Sequence, residues 1–133
     1  IINNLRKIPK KEEYSVLVFG LAFKKNCTDT RNSKIFEVIK SLQKKKINID
    51  YYDDILVDEE IKKLNKLIKR VISLASLKKK YNVIIMNSSH DHFKKINNKI
   101  FTKITYKNSV IYDLGNFFSL EQKKIIKRKF LFI

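Results

Sequence analysis

From Tyr14 onward, short apolar runs alternate with longer polar stretches that carry an apolar residue at every third or fourth position. The first run, residues 14–19, is rich in β-branched and aromatic side chains and has no helical period, which predicts a buried strand. After a polar loop, Ile35, Val38, Ile39 and Leu42 line one face of a helix expected from a Ser33 cap to about residue 45. Glu37 adds a favourable charge near its N-terminus. Residues 47–52 predict a second strand that ends at the turn residues Asp53 and Asp54. A helix over residues 58–69 should bury Ile61, Leu64, Leu67 and Ile68. Residues 70–72 read as a short strand and residues 74–80 as a brief helix. Residues 82–86 lack alternation, which predicts a central strand buried on both faces. A helix over 97–104, a strand over 109–113, a helix over 119–127 and a strand over 129–133 complete the series.

Alternating strands and helices predict an α/β fold, a three-layer, Rossmann-like, doubly wound and mainly parallel sheet with right-handed crossovers. In such a sheet ligands sit at the loops leaving the carboxyl ends of the strands. Two polar loops take those positions, residues 20–33 after the first strand and residues 87–93 after the most apolar one. Pro9 lies in a polar stretch over residues 1–13, which reads as a linker from a preceding helix; residues 14–133 form the one expected domain. The abrupt ends predict a fragment of something longer.

Charge changes this picture less than its size suggests. The formal net charge is +17, from 30 basic and 13 acidic residues, a balance that ordinarily points to nucleic acid or an anionic membrane. Here lysines recur in turns and on helix faces alike, which reads as a habit of composition rather than a patch built for a phosphate backbone; a nucleic-acid or membrane partner is not expected, and a nucleotide-sized anion remains compatible. One cysteine, Cys27, excludes an internal disulfide framework and a multi-cysteine zinc site, and a reducing cytoplasm is expected. No apolar run reaches the ~20 residues of a membrane helix, and no signal-peptide layout is present.

Candidate chemistry concentrates in the first loop. Two glycines in the whole chain cannot build a GxGxxG or GxxxxGK[ST] pyrophosphate cradle. Lys24 and Lys25 can reach a phosphate or a carboxylate as point charges, or can simply be solvated. Arg31 can grip an anion bidentately near a helix N-terminus, or can pair with Asp29 and shape the loop. Cys27 has no neighbouring histidine base in sequence and reads as structural or incidental. His90, Asp91 and His92 hint at a metal, but turn-forming polar residues ahead of an inward-packing Phe93 are the simpler reading. No catalytic constellation and no metal site is expected.

The run Gly20, Leu21, Ala22, Phe23, Lys24, Lys25, Asn26, Cys27, Thr28, Asp29, Thr30, Arg31, Asn32, Ser33 resembles the GLxFKxNCxDxRNS signature of the UDP-glucose/GDP-mannose dehydrogenase family, in its C-terminal UDP-binding domain. The Asn-Cys and Arg-Asn-Ser variants are most similar to the branch that oxidises UDP-N-acetylhexosamines to uronic acids for bacterial surface polysaccharide. Residues 49–54, 89–93 and 110–113 resemble further segments of the family in order, so the likeness covers about residues 14–125. The resemblance implies that Phe23 and Lys24 contact the UDP-sugar. It also implies that Arg31 reaches NAD, held mainly by an N-terminal domain, and that the parent enzyme can be a homodimer. The family's nucleophilic cysteine belongs to a GGxCxxxD-type motif that this sequence lacks, so Cys27 is not that residue and the chain alone is expected to be inactive. Many relatives carry a basic residue where this chain has Gly115, so a substrate contact is expected to be lost or supplied from elsewhere. The competing reading is a non-enzymatic basic module for nucleic acid or another polyanion.

Overall fold

The computed structural model describes residues 14–131; the expected linker over 1–13 and the last two residues of the expected final strand lie outside it. Six strands form one sheet: β1 (Ser15–Phe19), β2 (Asn48–Tyr52), β3 (Lys69–Arg70), β4 (Tyr81–Met86), β5 (Thr105–Asp113) and β6 (Lys129–Leu131). Every pairing is parallel and the order is β3-β2-β1-β4-β5-β6. The helices are α1 (Ile35–Gln43), α2 (Asp58–Leu64), α3 (Asn98–Lys103) and α4 (Leu120–Ile126), with a 3-10 turn at Asp91–Lys95.

Period-two alternation in β1 decides the layering. Val16 and Val18 join Ile35, Ile39 and Leu42 of α1 and Leu64 of α2 in one core; Leu17 and Phe19 join Phe101 of α3 and Ile126 of α4 in another. This is the doubly wound α/β architecture that the alternation of elements predicts. The second core is the more aromatic of the two. Phe19 and Phe93 meet edge to face at 5.6 Å, as do Phe101 and Phe118 at 4.9 Å, and Phe118 continues to Phe130 at 5.2 Å.

Several local expectations are corrected. The N-cap position of α1 is Lys34, and no side chain caps it. Ser33 is buried instead, its N–H donating to the Thr30 carbonyl at 3.3 Å, because a turn closes the loop just before the helix starts. Helix α2 stops at Leu64, where the N–H groups of Leu67 and Ile68 both donate to the Leu64 carbonyl and turn the chain toward β3. Leu67 is therefore 57% exposed, not buried. No helix forms over 74–80: one turn, from the Leu77 N–H to the Leu74 carbonyl, leads into β4. Lys79 is drawn away there to the Asp50 carboxylate, 2.8 Å distant. Strand β5 begins at Thr105, earlier than the apolar pattern suggests, with its register shifting opposite Tyr81 and Val83. Ser119 caps α4 in a reciprocal capping box with Gln122. Among the described residues no helix is long and apolar enough to cross a membrane.

Candidate functional site at the β1–β4 crevice

Strands β1 and β4 are neighbours although two strands separate them in sequence, and the sheet reverses its winding between them. Doubly wound sheets bind ligands in the crevice outside the carboxyl ends of the strands at such a switch point, and the loops leaving β1 and β4 border that position. Those loops are the two polar stretches singled out in the sequence, residues 20–33 and 87–93.

The crevice loops are tied together at their base. Gly20 adopts φ +75°, and a Cβ there would lie 2.7 Å from the Ser88 Cβ and 3.2 Å from His90 Nε2. Its carbonyl accepts from the Asn87 side chain at 2.9 Å, and the Ser88 hydroxyl donates to the Ala22 carbonyl at 2.8 Å. Asp53, at the end of β2 and 1% exposed, accepts the Leu21 N–H at 2.9 Å and the Ile55 N–H at 3.3 Å, so its buried carboxylate is not left bare. His90 is fully buried. Its Nδ1 accepts the Asn26 N–H at 2.8 Å, and its Nε2 faces Asp53 Oδ2 at 3.5 Å.

Further out the loop is clamped by charge. The Asn26 carboxamide donates to Asp91 at 2.8 Å and accepts the Asp91 N–H at 3.0 Å, and Lys25 and Lys94 flank the same carboxylate at 2.8 and 3.1 Å. Lys25 foremost, then Asn26 and Lys94, holds the Asp91 carboxyl well below its ordinary range. Asn26 itself sits at φ 55°, a left-handed turn that asparagine tolerates. Beyond this clamp Phe23 is 57% exposed, with Lys24 Nζ 5.4 Å from its ring centroid. Lys24 has no carboxylate partner among the described residues. Of the two loop lysines, one is anchored and one is available.

Arg31 stands apart from that arrangement. Its side chain is 82% exposed, and the guanidinium engages Asp29 through Nε at 3.0 and 3.1 Å and through a terminal nitrogen at 2.7 Å. The side-chain and backbone hydrogen bonds from Arg31 hold the Asp29 carboxyl down at about 2. Of the two readings open at Arg31, the structure displays the loop-shaping pair. Cys27 is half-buried and its Sγ accepts the Asp29 N–H at 3.4 Å, a structural part in the same turn. His90 and His92 do not share a site: His92 is exposed and faces Asp54 at 3.6 Å. Among the described residues no three His, Cys, Asp or Glu side chains could hold a metal. Gly115 lies where a Cβ would be 2.9 Å from the Ser89 backbone nitrogen, so any larger residue would have to push the β4 loop aside.

Of the residues that build this site, sequence reasoning left His90 and Asp53 among turn formers and gave Asn26 and Ser88 no individual role. The one signal available was their position at strand carboxyl ends; that β1, β2 and β4 lie side by side follows only from strand order. A separate groove of about 860 Å³ runs along the β2–β3 edge, lined by Asp50, Asn65, Leu67 and Arg70. It is the open side of β2, which β3 covers only at Asp50 and Tyr51, and not the switch-point crevice.

A sequence model for the UDP binding domain of the UDP-glucose/GDP-mannose dehydrogenase family matches residues 17–120. This chain belongs to that family. The domain is 30% identical over 115 residues to the UDP-N-acetyl-D-glucosamine 6-dehydrogenase of Salmonella typhi, covering 86% of this chain and 26% of that protein. It is 28% identical over 123 residues to the UDP-N-acetyl-D-mannosamine dehydrogenase of Methanocaldococcus jannaschii, covering 91% of this chain and 27% of that one. The UDP binding domain thus spans about a quarter of the length of these curated relatives. Its fold is shared with the NDP-N-acetyl-D-galactosaminuronic acid dehydrogenase of Methanosarcina mazei, at a TM-score of 0.75 and 18% identity, over 99% of this chain and 27% of that one. The UDP-N-acetyl-mannosamine dehydrogenase of S. aureus superposes with a TM-score of 0.64 at 25% identity, over 97% of this chain and 29% of that one.

Proposed function

We propose that this domain binds the UDP portion of a UDP-N-acetylhexosamine at the β1–β4 crevice, as the substrate half of an NAD-dependent 6-dehydrogenase making uronic acids for surface polysaccharide. The observation that carries the reading is the exposure of Phe23 and Lys24 on a loop whose base is buried and clamped. Lys24 supplies a mobile cation for a diphosphate, and Phe23 an apolar ring face for the uracil or the sugar. Arg31 is assigned to the NAD side of the cleft. To reach an anion there it exchanges Asp29 for the ligand, and a pair this exposed holds it with little net energy.

The loop after β1 does not fit a dinucleotide on its own. The space that a phosphate would need beside Gly20 is filled by Ser88 and His90 of this chain. NAD, the hydride acceptor of such enzymes, is therefore assigned mainly to a different domain, and the chain alone performs binding without oxidation.

Titrating the 15N-labelled chain with UDP tests the reading. Shift changes are expected at residues 22–26 and 87–91, with the β2–β3 groove silent. A silent crevice, or changes centred on Asp50 and Arg70, would refute it. A silent UDP titration beside steeply salt-dependent binding of nucleic acid would favour a basic binding module instead.

A further inference from the structure

The His90 imidazole is fully buried, and its surroundings specify a proton arrangement. Nδ1 lies 2.8 Å from the Asn26 backbone nitrogen, which has a hydrogen to give and nothing to accept. Nδ1 must therefore be the unprotonated nitrogen, and the neutral ring carries its proton on Nε2. Nε2 has no full hydrogen bond, and its nearest polar neighbour is Asp53 Oδ2 at 3.5 Å. The same Asp53 oxygen accepts the Leu21 N–H. One imidazole thus stands between the two ends of the segment carrying Phe23 and Lys24, touching Asn26 directly and facing the carboxylate that holds Leu21. Phe93 packs on the ring at 5.1 Å, which limits its rotation.

We infer that His90 is a positioning residue for nucleotide binding: as the Nε2–H tautomer it fixes the Asn26 amide through Nδ1 and thereby sets where Phe23 and Lys24 stand. This rests on the UDP-binding reading above, and His90, buried from solvent, acts only through the loop. The Asp53 carboxylate, opposite Nε2, favours that tautomer by facing the protonated nitrogen.

Two isosteric variants separate the ring's two nitrogens. His90→Asn keeps an acceptor near the Nδ1 position and drops the Nε2 side; His90→Gln keeps a polar group near Nε2 and drops the acceptor for Asn26. In the wild-type chain, ring 15N spectra should show Nδ1 unprotonated and Nε2 protonated. Amide exchange at Asn26 should stay slow in His90→Asn and become fast in His90→Gln. UDP affinity should stay within about threefold of wild type in the first and fall about tenfold in the second, the scale of one buried donor left unpaired. Thermal melts of both variants control for general destabilisation. Protection of Asn26 retained in His90→Gln, equal loss in both variants, or an Nδ1-protonated ring would overturn the inference. If the wild-type chain fails to bind UDP, the functional reading falls, while the ring spectrum and the Asn26 exchange still decide the role of His90.

Discussion

Replacing Gly20 by alanine should be among the most damaging single-methyl additions in this domain. The backbone there has φ +75°, a region in which a side chain clashes with its own peptide, at about 1–2 kcal/mol. The new Cβ would also meet the Ser88 Cβ at 2.7 Å, Ser88 Oγ at 3.0 Å and His90 Nε2 at 3.2 Å. Overpacking of that kind adds about 1–3 kcal/mol. Relief by movement is limited, because the Gly20 N–H is bonded to the Tyr52 carbonyl and its own carbonyl to Asn87. The sum, about 2–5 kcal/mol, is a large share of the roughly 5–15 kcal/mol that a domain has in total. With a urea m-value of about 2 kcal/mol/M, the unfolding midpoint should fall by roughly 1–2.5 M at constant m. A double-mutant cycle with Ser88→Gly divides the two terms. Removing the Ser88 side chain should recover about 1–2 kcal/mol of coupling, while the backbone term remains. A loss for Gly20→Ala within about 0.5 kcal/mol, the range of an ordinary surface substitution, would refute the argument from backbone conformation. A coupling energy of zero would show that Ser88 is not the obstacle.

Lys24→Ala should weaken UDP binding with little change in the melting temperature, since among the described residues its ammonium meets only the exposed Phe23 ring, whereas Lys25→Ala should loosen the loop by removing one of the three side chains that hold Asp91; calorimetric titration beside thermal melts tells them apart. Because the folded-state carboxyl of Asp91 lies below its ordinary 3.8, the stabilisation it confers is complete above that value and is lost as the pH falls through its depressed folded value; Asn26 side-chain resonances should follow this titration, and Asp91→Asn should abolish it. Ser119→Ala removes half of a reciprocal capping box at α4 and should destabilise the domain by about 1 kcal/mol in urea melts. The chain expressed alone should reduce no NAD with any UDP-sugar; measurable absorbance from NADH would contradict the assignment of the chemistry to other segments.

The fold class was legible in the sequence because each strand and most helices advertise themselves locally. Val16, Leu17, Val18 and Phe19 have one plausible conformation, and Ile35, Ile39 and Leu42 one buried face. The elements that went wrong lie where local pattern and sheet geometry compete. Leu67 keeps the helical period of α2, yet the chain must leave the helix at Leu64 to place Lys69 beside Asp50 in the sheet. Residues 74–80 carry helix formers, but the chain leads from their single turn into β4, whose first residue is Tyr81. Ser33 has the chemistry of a cap and the position of a buried turn residue.

The same division runs through the site. The sequence by itself determined that a polar, cationic loop follows the first strand, that no pyrophosphate cradle exists, and that Phe23, Lys24 and Arg31 are its notable side chains. All of that is local composition except the choice of Phe23, which the family resemblance implied. That Lys25 of the two lysines is anchored, and that His90 is a buried anchor, were decided only by the order β2-β1-β4, which sets residues 26, 53 and 90 against one another, whereas the Arg31–Asp29 pair is local to its loop. Burial has the same origin. A histidine in a polar run reads as solvated until strand pairing places Asn26 and Asp53 around it and Phe93 beneath, because desolvation and hydrogen-bond partners are properties of neighbours in space, which a chain acquires only by folding.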